Sequence, residues 1–361
     1  MSTIAMRRAA RQVPIVTEAQ RNWRIAAIAL LSIRFIQGFI YWGGGSRRFI
    51  YAPSKLDPYA PSWMANKLQT AMPGALFGTD HIISFLLHHF YLLYAAVIVF
   101  SAAELIVGAM LMAGLLTRLA AVLSMALSVS LMAMFGWQGA TCIDEWTMAA
   151  ANLAMGTTLL LAGTGAYSLD NLLLSRNPAS VEKRWFRWTA GSLPPPLTDD
   201  GFGKLAVALL AFVVAFNVGT YDYYRGSVVT PFHVGPVSPA KHHLTLSRAA
   251  LLPDGSVRFH VYLDGGTPAA PAHIVAVDLL NARKQSIAHW NAAALSALPK
   301  ATFRNDYAYN KFAPGPFGVE AKMGAAATLS LPAPPSGTSV GASYLRLTDV
   351  GGSTFSVTLH Y

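Results

Sequence analysis

Apolar residues run in long blocks through the first 220 positions and then give way to short alternating stretches. Five blocks are long enough to cross about 30 Å of hydrocarbon as helices. They are Ile25 to Tyr41, a second within Phe85 to Leu116, a third within Leu119 to Trp137, a fourth from Trp146 to Ala162 and a fifth from Leu205 to Val218. Trp23 and Trp42 flank the first block as interfacial anchors do. That block is too long for a signal peptide, and no Ala-x-Ala site follows it. Only Thr117-Arg118 separates the second and third blocks, which predicts a tight antiparallel hairpin. From Tyr221 onward, Ser256 to Leu263 and Ser353 to His360 alternate polar and apolar residues, and His273 to Leu279 and Ala342 to Leu347 also read as strands. Pro253-Asp254-Gly255 is a turn signal, since glycine accepts positive φ. The pattern predicts a membrane all-α four-helix bundle plus a fifth transmembrane helix carrying a C-terminal extracytoplasmic β-sandwich.

In boundaries, this is a basic tail (1–24), the bundle (25–175) with an outer loop (43–81), a linker (176–203), helix five (204–220) and the β-domain (221–361). The linker contains Leu193-Pro-Pro-Pro-Leu197, a stiff spacer composition.

Composition supports the membrane class. Hydrophobic residues make up 53% and charged residues 12%, against about 25% charged in soluble domains. The net charge is +10, but the basic residues flank apolar blocks rather than forming one patch, so nucleic acid is not expected as a partner. Arg7, Arg8, Arg11, Arg21 and Arg24 precede the first block, and Arg176, Lys183, Arg184 and Arg187 follow the fourth. With Arg118 they mark one side as cytoplasmic. The outer loop breaks that rule, holding Arg47, Arg48, Lys55 and Lys67 against Asp57 and Asp80. Anion capture and lipid-headgroup contact both account for it.

The single cysteine, Cys142, excludes a disulfide framework, a Cys-x-x-Cys pair, a c-type haem motif and a four-cysteine cluster. No glycine-rich dinucleotide fingerprint is present, and no metal, haem or flavin is expected. Thr141-Cys142-Ile143-Asp144 fits a capping box, which would seat Cys142 in the first turn of the fourth helix. A helix N-terminus lowers a thiol pKa, whereas Asp144 and Glu145 oppose that shift. Cys142 is thus a redox thiol or a small packing residue. Glu145 and Trp146 share its helical face, as a proton acceptor and a stacking wall, and Trp146 equally suits an interfacial belt. His88 and His89 open the second block near the outer face, where they suit proton handling, and two interfacial histidines need no such role. Arg34 and Glu104 lie inside apolar blocks, where an unpaired charge is disfavoured by roughly 2.5–3.5 kcal/mol. They are expected to pair with each other, the alternative being a proton path.

Tyr41 to Gly74, "YWGGGSRRFIYAPSKLDPYAPSWMANKLQTAMPG", and Thr141 to Ala150, "TCIDEWTMAA", resemble the DoxD subunit of thiosulfate:quinone oxidoreductases. The region from about Lys204 is similar to the DoxA subunit in architecture and order. DoxD in turn resembles the DoxX group of four-helix membrane proteins. The resemblance implies oxidation of two thiosulfates to tetrathionate with a membrane quinone as acceptor substrate, in a bacterial inner membrane; the Lys/Arg count, with an odd number of spans, puts the N-terminus on the cytoplasmic side and the C-terminal domain on the periplasmic side. Thiosulfate, quinone and the lipid bilayer are the implied partners, with a homo-oligomer or a terminal oxidase as further candidates. Within that chemistry, Arg47, Arg48 and Lys55 are expected to bind thiosulfate. Trp146, Trp42, His88 and His89 are expected to bind quinone, and Cys142 and Glu145 to be catalytic. The thiolate of Cys142 would add to the quinone; a first thiosulfate would attack the cysteine sulfur and expel quinol, leaving a Cys–S–S–SO₃⁻ adduct; a second would attack that adduct, releasing tetrathionate and regenerating the thiolate. A non-catalytic accessory subunit of a respiratory complex, a sulfur-oxyanion carrier and an anchored ligand-binding module are the competing classes.

Overall fold

The computed structural model describes residues 18–51, 53–138, 145–164, 167–225 and 235–361. Its first part is helical. α1 (Glu18–Ala29) and α2 (Leu31–Ser46) form one helix bent by 42° at Leu30. A π-helical turn (Arg47–Tyr51) leads to α3 (Met64–Ala71), α4 (Thr79–His88), α5 (Phe90–Ala113), α6 (Thr117–Phe135), α7 (Glu145–Ala162), α8 (Leu169–Arg176), α9 (Arg184–Thr189) and α10 (Asp199–Arg225). Among the described residues α5, α6 and α10 are long and apolar enough to cross a membrane, and the bent α1–α2 pair makes a fourth. The chain is a membrane protein. The expected fourth block, α7, is apolar and, among the described residues, slightly shorter than these.

The first block does not end at Tyr41 as its composition predicts. α2 runs on through Gly43-Gly44-Gly45, although each interior glycine costs about 1 kcal/mol of helix stability. Tertiary packing overrides that propensity. A Cβ on Gly45 would lie 2.6 Å from the Leu105 nitrogen, and one on Gly108 would lie 2.2 Å from the Trp42 nitrogen. α2 and α5 therefore touch backbone to backbone, as small residues allow in membrane helices.

At the far end of the bundle, Arg118 does not serve as a free positive charge. It is 2% exposed and donates to the carbonyls of Leu160, Arg187, Ala190 and Leu193. Buried Asp170 accepts from the backbone N–H groups of Leu116, Thr117 and Gly191. The segment expected as a spacer is thus fastened to the bundle, because buried polar groups at helix ends need partners.

The second part is all-β, with antiparallel sheets. Its elements are β1 (His243–Leu251), β2 (Val257–Gly265), β3 (Ala272–Leu280), β4 (Ser286–Trp290), the short α11 (Ala292–Ser296), β5 (Phe303–Asn305), β6 (Phe312–Gly315), β7 (Gly318–Ala321), β8 (Ala326–Leu331), β9 (Ser336–Gly337), β10 (Tyr344–Asp349) and β11 (Thr354–Thr358). One sheet has the order β1-β2-β8-β5. The other runs β11-β10-β3-β4-β9, with β7 bridging β3 and β6. The alternation along β2 buries Val257, Phe259, Val261 and Leu263, as a strand with one face on a core requires. These pack with Val277, Leu279, Leu345 and Leu347 of the other sheet in one core, and that core extends to Trp137 and Tyr224 of the helical part.

Candidate functional site

The α2–α5 contact builds the site. Gly38 lies against Gly108, and Gly45 against Ser101 and Leu105. This antiparallel register sets Gly44 opposite Glu104, whose carboxylate lies 3.4 Å from where a Gly44 Cβ would be. One turn further, in the π-helical turn, Arg48 forms an ion pair with Glu104 and donates to Ser101 Oγ at 3.4 Å. Both side chains are largely withdrawn from solvent, at 12% and 6% exposure. Arg48 Nε is buried with no partner among the described residues.

The expected Arg34–Glu104 pair is not formed. Arg34 sits against Gly114 at the other end of the bundle. It donates to the carbonyls of Tyr167 at 2.8 Å and Thr164 at 3.5 Å. Fourteen residues of helix separate Arg34 from Arg48, or about 21 Å at 1.5 Å per residue, so only one of them can meet Glu104.

Arg48 and Glu104 line a cavity of about 510 Å³ between α2, α3, α5, α6 and the start of α7. Its polar end holds Arg48, Lys55, Lys67, Glu104, Ser101 and Tyr41. The remaining wall is apolar, including Leu86, Val97, Phe100, Leu131 and Met134, while Phe135 lies beneath the Lys67 ammonium, 5.2 Å from its ring centroid. Arg48 is paired with Glu104 there, and Lys55 and Lys67 line the same end of the cavity. Lys55, in the outer loop, has its pKa pulled below the ordinary lysine value, first by burial and then by repulsion from Lys67, Arg48 and Arg47. An anion bound there relieves both effects. The Tyr41 hydroxyl donates to the Ser124 carbonyl at 2.8 Å and meets Ser128 Oγ at 2.6 Å.

α3 supplies Lys67, Met64 and Leu68 to the cavity. Its opposite face meets the β-domain. Gln69, fully buried, donates to the carbonyls of Asn310 and Gly324, each at 2.9 Å, and accepts from the Asn310 N–H at 2.8 Å. Asn310 Nδ2 donates to the carbonyls of Asn66 and Met323.

The other sequence-predicted residues are placed as follows. Arg47 is exposed and does not line the cavity. Trp146 donates to Thr220 Oγ1 at 3.0 Å and its ring meets Tyr221, tying α7 to α10. Trp42 packs near Phe39. His88 and His89 are exposed, donating back to the carbonyls of Ser84 and Phe85. None of these four lines the cavity. Cys142, with the capping box around it, lies outside the described residues. Glu145 begins α7, but its side chain is also outside them. Met148, one turn after Glu145, does line the cavity. Sequence reasoning passed over Tyr41, Lys67 and Met148 as site residues. The signal for Tyr41 was its position two turns before Arg48, on the side of α2 that continues into the basic loop. Lys67 was visible only as part of a basic loop. Among the described residues no cluster of metal-ligating side chains occurs.

Residues 29–195 match the family described as TQO small subunit DoxD, and residues 224–358 match TQO small subunit DoxA. No solved structure matches the chain.

Proposed function

Because the chain belongs to the DoxD and DoxA small-subunit families of thiosulfate:quinone oxidoreductase, joined in one polypeptide, we propose that it oxidises thiosulfate to tetrathionate and passes the electrons to a membrane quinone at the cavity between α2, α3 and α5. Two thiosulfate dianions lose two electrons and join through a new S–S bond, and one quinone takes up those electrons with two protons. One cavity therefore has to accept anions at one end and a flat apolar ring at the other. The observation that carries the proposal is the division of this cavity: Arg48, Lys55 and Lys67 at one end, and an apolar wall inside the membrane part.

Each group has a role in that scheme. The Arg48 fork suits the sulfonate oxygens of thiosulfate, and its unpartnered Nε is a donor in reserve for them. Lys55 and Lys67 offset the repulsion between two dianions brought together, where positive charge accelerates the reaction most. Glu104 keeps Arg48 folded toward the chamber. Cys142 remains the proposed sulfur nucleophile and Glu145 the proton acceptor. Met148 supports this, since it brings the first turns of α7 to the cavity wall. The Lys/Arg distribution supports a cytoplasmic N-terminus in a bacterial inner membrane, which puts α3 and the β-domain on the periplasmic side where thiosulfate arrives.

The test is reconstitution. The purified full chain in liposomes containing a quinone should reduce it on addition of thiosulfate and release tetrathionate in equal amount. Arg48→Ala should raise the thiosulfate KM more than the quinone KM. Absence of both products in a folded preparation removes the proposal and favours an accessory subunit.

A further inference from the structure

α3 is a two-faced plate. Lys67, Met64 and Leu68 lie on the cavity side, and Asn66 and Gln69 on the β-domain side. Eight residues form this helix, too short to hold its own shape in water. Its placement must come from what it packs against. The Gln69 amide uses both its donors and its acceptor on main-chain groups of the β-domain. The approach is close: a Cβ on Gly324 would lie 2.0 Å from the Gln69 carbonyl oxygen, and Gly324 also has φ of +77°. At the end of α3, Trp137 Nε1 donates to the Ala71 carbonyl at 2.7 Å, and just beyond it the Tyr224 hydroxyl donates to the Gly74 carbonyl at 3.0 Å. Both aromatic side chains come from the helical part and are packed against the β-domain core.

We infer that the β-domain is the positioning element of the cavity, holding α3 through Gln69, Asn310 and Gly324 so that Lys67 stays in the cavity wall. The kinetic consequence rests on the cavity being the thiosulfate site, but the structural consequence does not.

Lys67→Cys in a Cys142→Ser background makes the cavity face of α3 measurable. A membrane-impermeant maleimide should react with Cys at position 67 slowly in that protein. Adding Gln69→Ala or Gly324→Val should speed the reaction about fivefold or more, since each frees α3 to open locally. Ser84→Ala, which removes only the contact between α4 and Tyr307 at 2.9 Å, should leave the rate unchanged. Equal rates with and without Gln69→Ala overturn the inference, as does an equal acceleration by Ser84→Ala. In the otherwise native chain, Gln69→Ala should raise the thiosulfate KM about tenfold and leave the quinone KM within about twofold. A fall in kcat with both KM values unchanged would overturn the positioning role. A native chain that oxidises no thiosulfate would remove the proposed function, while the labelling rates would still decide whether the β-domain holds α3.

Discussion

Arg48 and Glu104, 56 positions apart in sequence, meet in the wall of the cavity because three glycines let α2 and α5 touch along their backbones. The pair is nearly buried, so its two halves depend on each other. Removing one partner leaves an uncompensated charge and costs about 3–5 kcal/mol. Glu104→Ala should therefore lower the unfolding midpoint strongly in detergent. A double-mutant cycle between positions 48 and 104 should give an interaction of about 1.5–3 kcal/mol, and one between 34 and 104 less than about 0.5 kcal/mol. A large value for the second cycle would contradict the helix register described above.

Lys55 sets a pH dependence. Its folded-state pKa lies below the ordinary lysine value through burial first and neighbouring cations second. Charging it is thus penalised in the folded protein. The penalty is fully present below the lowered pKa and disappears as pH rises to the ordinary value. Anion binding has the opposite sign: it is favoured by the charged form and weakens as pH rises through the lowered pKa. The thiosulfate KM should climb on the alkaline side at a pH below that of free lysine. Lys55→Gln should have a higher KM at neutral pH and lose that alkaline rise. An unchanged rise in Lys55→Gln would assign it to another group.

Gly108 and Gly43 should respond oppositely to alanine. At Gly108 the new Cβ meets the Trp42 backbone, whereas at Gly43 nothing lies within 4 Å. Gly108→Ala must part α2 from α5, and forced overpacking costs about 1–3 kcal/mol. Gly43→Ala should stabilise α2 by up to about 1 kcal/mol. Thermal unfolding in detergent reads both. The quinone-reduction rate should fall with Gly108→Ala and hold with Gly43→Ala.

Cys142→Ser tests the covalent route. If the thiolate carries the sulfur intermediate, thiosulfate-dependent quinone reduction should fall at least about a thousandfold, as removal of a nucleophile does elsewhere. Native protein treated with thiosulfate and quinone should carry added mass on the peptide containing Cys142. Activity near the native rate in Cys142→Ser would send the electrons by another path.

Much of the architecture was legible along the chain. Long apolar blocks must become helices, because backbone polar groups in hydrocarbon can be satisfied only within the segment. The alternation from Val257 to Leu263 likewise had to bury one face of a strand. The basic loop and the need of Glu104 for a partner were visible too, since both follow from the composition of a single segment. Which cation meets Glu104 was not. Arg34 lies on α2 and Arg48 on the π-helical turn that continues it, and only the glycine-set register against α5 decides between them. Nor could the sequence show that a short helix in a loop would carry Lys67 on one side and a β-domain clamp on the other. Helical and strand periodicity are written in neighbouring residues; the level at which two helices cross, and what a distant domain rests on, depend on contacts between segments up to 255 positions apart.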